Sequence, residues 1–179
     1  MTRDAVAGET ARLTIEPLCA AHAAELFPLM ADPHLYAFIP QSPPASEETL
    51  RERYAGLESR RSPDGQQQWL NWALRRRTHG VCIGRVEATV DDDGDAWVGF
   101  VIGAEFWRQG FATEAVRRLV EGLFADPHVR RVRATVDTRN AASMRLLDRL
   151  GFTRSAVSRP AEVIDGVATS EWEYGLARV

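Results

Sequence analysis

The stretch from Ala96 to Asp137 constrains the fold of this chain more than any other. Phe111, Ala112, Ala115, Val116, Leu119, Val120, Leu123 and Phe124 recur at spacings of one, three and four. That stripe predicts an amphipathic helix over Gly110–Ala125, stopped by Asp126–Pro127. Glu114 and Arg118 are expected to pair on its solvent side. Strand-like runs flank it: Ala96–Ile102 before, and Val129–Asp137 after, with Val132, Ala134 and Val136 on one face. Two strands joined through such a helix lie parallel in one sheet.

The rest of the chain builds around that unit. Arg12–Leu18 alternates as a strand, and Ala20–Met30 switches to helical spacing. Ser46, followed by Glu47 and Glu48, starts a helix carrying Leu50, Tyr54 and Leu57. Strands are expected over Trp69–Leu74 and Val81–Val90, with Asp91–Asp95 as a hairpin turn into the next strand. A second late helix covers Asn140–Leu150, ended by Gly151. Phe152–Val157 and Ser170–Ala177 read as last strands, joined by a loop through Pro160 and Asp165–Gly166. The expectation is an α+β (α/β mixed) fold: one domain over residues 11–179 behind a flexible tail of residues 1–10.

Composition narrows the function. The 179 residues are 45% hydrophobic and 26% charged, which suits a globular core. A net charge of −3 argues against broad nucleic-acid binding. No membrane span or secretory leader is expected. Cys19 and Cys82 form no paired motif and read as reduced thiols, so a cytoplasmic location is expected. His22, His34, His79 and His128 sit at no metal-ligand spacing and read as surface or loop residues, so no metal is expected. The Asp91–Asp95 turn does not fit a calcium loop, because Ile102 stands at the twelfth position.

Two segments are candidates for chemistry. In Phe106–Thr113 a loop runs from a strand into a helix whose start has no Ser, Thr, Asp or Asn to cap it. Its first N–H groups, with Gly110 allowing close approach and Arg108 adding charge, suit an anion, phosphate above all. No Lys–Ser/Thr follows, so a P-loop is excluded. In the second segment Asn140 stands at another strand-to-helix junction, with Ser143 one turn on. Both helix starts fall at one edge of the sheet, where α/β ligand sites lie.

Together these motifs resemble the GCN5-related N-acetyltransferase (GNAT) family. Its pyrophosphate loop reads Gln/Arg-x-x-Gly-x-Gly/Ala. Trp107-Arg108-Gln109-Gly110-Phe111-Ala112 is similar, with Trp107 in place of Gln or Arg. That Trp, with Ala112–Thr113–Glu114–Ala115, resembles the RimJ/RimL branch, which acetylates N-termini of ribosomal proteins. The branch's second motif stands here as Asn140, Ser143 and Leu150–Gly151–Phe152. The resemblance covers about Arg12 to Ala177. It implies a mixed sheet splayed between the family's fourth and fifth strands, here Ala96–Ile102 and Val132–Asp137, with acetyl-CoA in the split. It further implies pyrophosphate held by Arg108, Gln109, Gly110, Phe111, Ala112 and Thr113. Pantetheine would pair with the backbone of Phe100, Val101 and Ile102, and with Asn140.

The reaction so implied is direct attack of an amine on the thioester, in a ternary complex without an acyl-enzyme. Glu87 is the candidate base, sharing a strand face with Arg85 and Thr89; Glu105 is the second candidate. Ser143 is the candidate donor to the departing thiolate, and a backbone N–H around Val101 the candidate oxyanion donor. Cys82 reads as a buried structural thiol. The acceptor is a protein N-terminus or a small amine. It is expected against Leu35–Tyr54, where Tyr36, Phe38 and Tyr54 are candidate contacts beside Ile39, and against Val157–Val167. The aromatics equally suit core packing, and Glu47, Glu48 and Glu52 suit either a cationic acceptor or solvent. Arg75–Arg77 and Arg130–Arg131 are solvated, or touch the 3′-phosphate or RNA. A non-catalytic acyl-CoA-binding protein of the same fold and a nucleotide-binding domain are the alternatives; a monomer or a homodimer is expected.

Overall fold

A computed structural model of the chain describes residues 3–164 and 166–178. In chain order the elements are α1 (Arg3–Val6), β1 (Gly8–Glu9), β2 (Leu13–Pro17), α2 (His22–Met30), α3 (Glu47–Leu57), β3 (Gln68–Arg76), β4 (Cys82–Val90) and β5 (Asp95–Ile102). There follow α4 (Phe111–Phe124), β6 (Arg131–Asp137), α5 (Ala141–Arg149), β7 (Thr153–Arg154), β8 (Arg159–Ile164) and β9 (Val167–Ala177). One nine-stranded sheet runs β1-β2-β3-β4-β5-β6-β9-β7, with β8 beside β9. Every neighbouring pair is antiparallel except β5 and β6, the pair bridged by α4. The fold is the expected mixed α/β sheet; the short β1 makes the splaying strands fifth and sixth in order.

The two faces bury different groups. Phe111, Ala115, Val116, Leu119 and Leu123 of α4 pack on Leu70, Trp72 and Leu74 of β3 and on Val86, Ala88 and Val90 of β4. Each Val, Leu or Phe side chain so removed from water contributes about 1.5–3 kcal/mol. On the opposite face, Ala23, Leu26 and Met30 of α2 and Leu50 and Tyr54 of α3 cover Ala73, Cys82 and Val101. The strand alternation thus sends Arg85, Glu87 and Thr89 toward the α2–α3 side. Ser46 caps α3 by accepting from the Thr49 N–H at 3.1 Å, as its position predicts.

Three expectations need correction. Among the described residues the N-terminal stretch is not free: Val6 is fully buried and touches α4 at Gly122, where a Cβ would stand 2.5 Å from Val6 Cγ2. Arg118 therefore donates to the Ala7 carbonyl at 3.0 Å rather than pairing with Glu114, which accepts from Thr10 and Arg12. The segment through Pro160 is not a loop but β8, which pairs only with β9. Asp165 of the expected turn lies outside the described residues.

Candidate active site

The parallel pair β5–β6 opens almost at once. Asp95, Ala96 and Trp97 pair with Arg131, Val132 and Arg133, and pairing ends there. A guanidinium clamp holds that closed end. Arg131 and Arg133 both reach Asp95, at 3.2 and 2.7 Å, and Arg133 lies 4.4 Å over the Trp97 ring. Beyond it, Val98–Ile102 and Ala134–Asp137 diverge.

The hydrogen-bond alternation of β5 decides which backbone groups face the gap. Gly103 N–H donates to Ile83 O, and Asp91 N–H to Asp95 O, in one unbroken register. Odd-numbered residues of β5 are therefore bonded to β4, and the N–H and C=O groups of Val98, Phe100 and Ile102 point to the split. Val101 does not: its main chain belongs to the β4 ladder, and only its side chain lines the site. The Ile102 carbonyl is also taken, by Trp107 Nε1 at 2.8 Å. The Val98 N–H closes the last bridge, to Arg133, so the free edge is the Val98 C=O, both groups of Phe100 and the Ile102 N–H.

The segment that leaves β5 leads into the start of α4. Gly110 is its N-cap residue, with φ 82° and no side-chain cap. Arg108 also has positive φ, 60°, so the loop turns its amides outward. Arg12 braces this loop, donating to Gln109 O at 2.8 Å and lying 4.4 Å over the Phe111 ring, with Arg76 5.4 Å over the same ring. The second helix start is capped, since Asn140 Oδ1 accepts from Ser143 N–H at 3.1 Å. That leaves Asn140 Nδ2 as a donor.

A cavity of about 730 Å³ fills the space between the diverging strands and the α2–α3 side. That volume suits a ligand with a thioester arm and an acceptor. It gathers most of the residues singled out from sequence: Glu87, Phe100, Val101, Asn140, Ser143, Tyr36, Phe38 and Tyr54 all line it. β8 and β9 supply its far wall through Pro160, Glu162 and Glu171. Ile102 and the loop Arg108–Thr113 lie outside the lining. Glu105, the second base candidate, lies outside it too, exposed on a short 3-10 turn. Glu47 and Glu48 pair with Arg51 along α3, and the cavity lining holds none of Glu47, Glu48 and Glu52. Arg75 joins Glu16 and Glu25, and Arg77 joins Glu9.

Sequence reasoning missed three cavity residues. Arg85 is buried, 9% exposed, and its Nη1 donates to Glu87 Oε2. Asp137, also buried, is held by Arg139, whose hydrogen bonds keep its carboxyl below the usual range. Arg139 in turn lies 5.7 Å over the Phe38 ring, joining the two banks of the cavity. Thr169 donates to Glu162 O at 2.6 Å and fixes β8. A strand-end acid and a lone strand arginine carry no local signal of where they point. Tyr54, a candidate acceptor contact, is both packed in the core and among the lining residues, and burial pushes its hydroxyl up to about 12. That hydroxyl carries no hydrogen bond among the described residues.

His22 is buried rather than superficial, and folding brings it to Glu16 and Cys82, their ligand atoms within 4.8 Å of one another. These atoms are already engaged: Glu16 Oε1 accepts from Arg75 Nε at 2.8 Å and lies 3.1 Å from His22 Nε2. A cation bound there would have to displace the guanidinium. Cys82 is 1% exposed and outside the cavity lining, and burial pushes its thiol up to about 12.

Comparison with known proteins gives an independent measure. The family model described as "Acetyltransferase (GNAT) domain" matches residues 12–153. Uncharacterized N-acetyltransferase p20 of Bacillus licheniformis is 30% identical over 87 residues, 49% of each chain, so the match spans about half of that relative's length. Uncharacterized N-acetyltransferase YoaA of Bacillus subtilis is 28% identical over 141 residues, 70% of this chain and 80% of the relative. The structure of RimL, a ribosomal L7/L12 alpha-N-protein acetyltransferase in complex with coenzyme A, superposes with a TM-score of 0.82 at 18% identity. It covers 94% of this chain and 95% of the other.

Proposed function

The chain belongs to the acetyltransferase (GNAT) family, and from that premise we propose that it transfers an acetyl group from acetyl-CoA to a primary amine by direct attack within a ternary complex. One observation carries the reading: a sheet that parts after Trp97, with an uncapped helix start on the segment that follows β5 and Glu87 and Ser143 lining one cavity. The amides around Gly110 bind pyrophosphate, with Arg108 adding charge. The pantetheine arm lies along the free edge of β5 at Val98 and Phe100, opposite Asn140 Nδ2.

The chemistry then needs two proton movements. An amine attacks only when neutral, and Glu87 takes the proton, directly or through water. The nitrogen adds to the thioester carbonyl, and the oxyanion is met by a main-chain N–H that faces the split, Phe100 or Ile102. The C–S bond breaks, and the second proton leaving the nitrogen reaches the thiolate through the Ser143 hydroxyl, which gives its own proton to sulfur and takes the nitrogen's in return. Cys82, buried and largely protonated, takes no acyl group.

The acceptor lies against Tyr36, Phe38 and Tyr54, facing β8. The RimJ/RimL-type motif at Trp107 and Asn140–Ser143 supports a protein N-terminal amine, and an α-amine loses its proton more readily than lysine. The test is release of free thiol from acetyl-CoA across a panel of N-terminal peptides, lysine peptides and small amines. Turnover is expected with at least one class. Binding of acetyl-CoA without turnover on any member would leave a non-catalytic acyl-CoA-binding protein.

A further inference from the structure

Three residues stand abreast across the sheet: Asn71 on β3, Glu87 on β4 and Gly99 on β5. Glu87 leans toward Gly99. Its Oε1 lies 2.8 Å from the point where a Cβ on Gly99 would stand, and its Cγ and Cδ lie 3.1 and 3.3 Å from it. These are the three nearest atoms to that point, and all belong to Glu87. The backbone does not call for glycine here, because Gly99 lacks a positive φ. Glycine within a strand interior weakens the strand and marks a close approach. What approaches is the carboxylate, lying across the β5 main chain where β5 has just parted from β6. Its other oxygen, Oε2, accepts from Arg85 Nη1.

We propose that Gly99 and Arg85 are positioning residues for Glu87: the missing side chain opens the path across β5, and the guanidinium fixes the carboxylate's rotation about that path. The inference rests on the reading of Glu87 as base and adds what aims it. A methyl group on Gly99 pushes the carboxylate back over β4, away from the split. The Arg85 guanidinium grips from within the sheet face, between Ala73 and Val101.

The test is a double-mutant cycle in steady-state kinetics, with saturating acetyl-CoA and an acceptor from the panel. Glu87→Ala lowers kcat by roughly a hundredfold, the scale of a lost general base. Gly99→Ala alone lowers kcat by roughly tenfold, since a misplacement of about 1 Å costs one to two powers of ten. It leaves the acetyl-CoA KM within about twofold, a split that general loosening of the fold does not give. In the Glu87→Ala background Gly99→Ala has no further effect. As a second variant Arg85→Lys, which retains a cation, keeps more kcat than Arg85→Gln at unchanged acetyl-CoA KM. Undiminished kcat in Glu87→Ala overturns the base assignment and the positioning role with it. A slow Glu87→Ala enzyme overturns the positioning role alone if Gly99→Ala runs at full rate. Equal losses from Gly99→Ala in both backgrounds do the same, because the methyl group then obstructs the thioester itself.

Discussion

Replacing Tyr54 by Phe separates stability from function at one atom. The ring is 1% exposed, packed between α3 and the sheet, and Phe reproduces it. The hydroxyl is buried and carries no hydrogen bond among the described residues. A polar group in that state costs about 1–3 kcal/mol of desolvation. Removing it should therefore stabilise the ligand-free protein, by about 1 kcal/mol at the lower bound. For a domain of this size that raises Tm by roughly 2–4 °C. Tyr54 is among the residues lining the cavity, so an acceptor that reaches in to bond its hydroxyl loses about 0.5–1.5 kcal/mol, a two- to tenfold rise in acceptor KM. The acetyl-CoA KM stays unchanged. Because burial holds the phenol neutral up to about 12, both effects should be flat from about pH 6 to 9. Differential scanning calorimetry and steady-state kinetics measure the two halves. A lower Tm in Tyr54→Phe would refute the reasoning, since it would mean the hydroxyl is satisfied in the free protein.

Three further outcomes follow from the geometry. Gly110→Ala forces an L-residue into φ 82° and sets a Cβ 3.3 Å from Arg12 Nη2, so stability should fall by about 1–2 kcal/mol. Coenzyme A affinity, read by calorimetry, should fall with it; unchanged affinity would exclude that loop as the anion site. Cys82→Ser should retain turnover, and iodoacetamide at about pH 8 should leave Cys82 unmodified in the folded protein but label it in urea; loss of activity would indicate an acyl-enzyme. Asp137, held low by its hydrogen bonds from Arg139, contributes stability present above its unfolded value near 3.9 and lost as pH falls through the lower folded value. The gap in urea stability between the wild type and Asp137→Asn should therefore be widest near neutrality and close as pH falls below the usual carboxylate range; a constant gap would contradict the pairing.

What could be read from sequence was local. Ser46, Asn140, Gly110 and Gly151 mark helix ends through the chemistry of one or two residues, and the stripe of α4 needs no partner to be recognised. What was missed depends on distant strands. β8 carries a proline and mostly exposed side chains, and its pairing with β9 makes it a strand. α1 is a single turn whose burial is decided by the space at Gly122. Val101 was placed on the right strand but on the wrong side of its alternation, because sequence fixes the period of a strand and not which neighbour each amide meets. Arg85 and Asp137 look like ordinary charged strand residues until β5 and β6 diverge around them.

The clamp of Asp95 with Arg131 and Arg133 has a mechanical consequence. It pins the two halves of the sheet at one end, leaving Val98–Ile102 as a lever roughly 16 Å long at about 3.3 Å per residue. A tilt of about 5° at the pin moves the far tip by roughly 1.4 Å over that length. Substitutions at Asp95, which touches neither the thioester path nor the acceptor wall, should therefore be felt at the gape of the cleft, where small angles arrive enlarged.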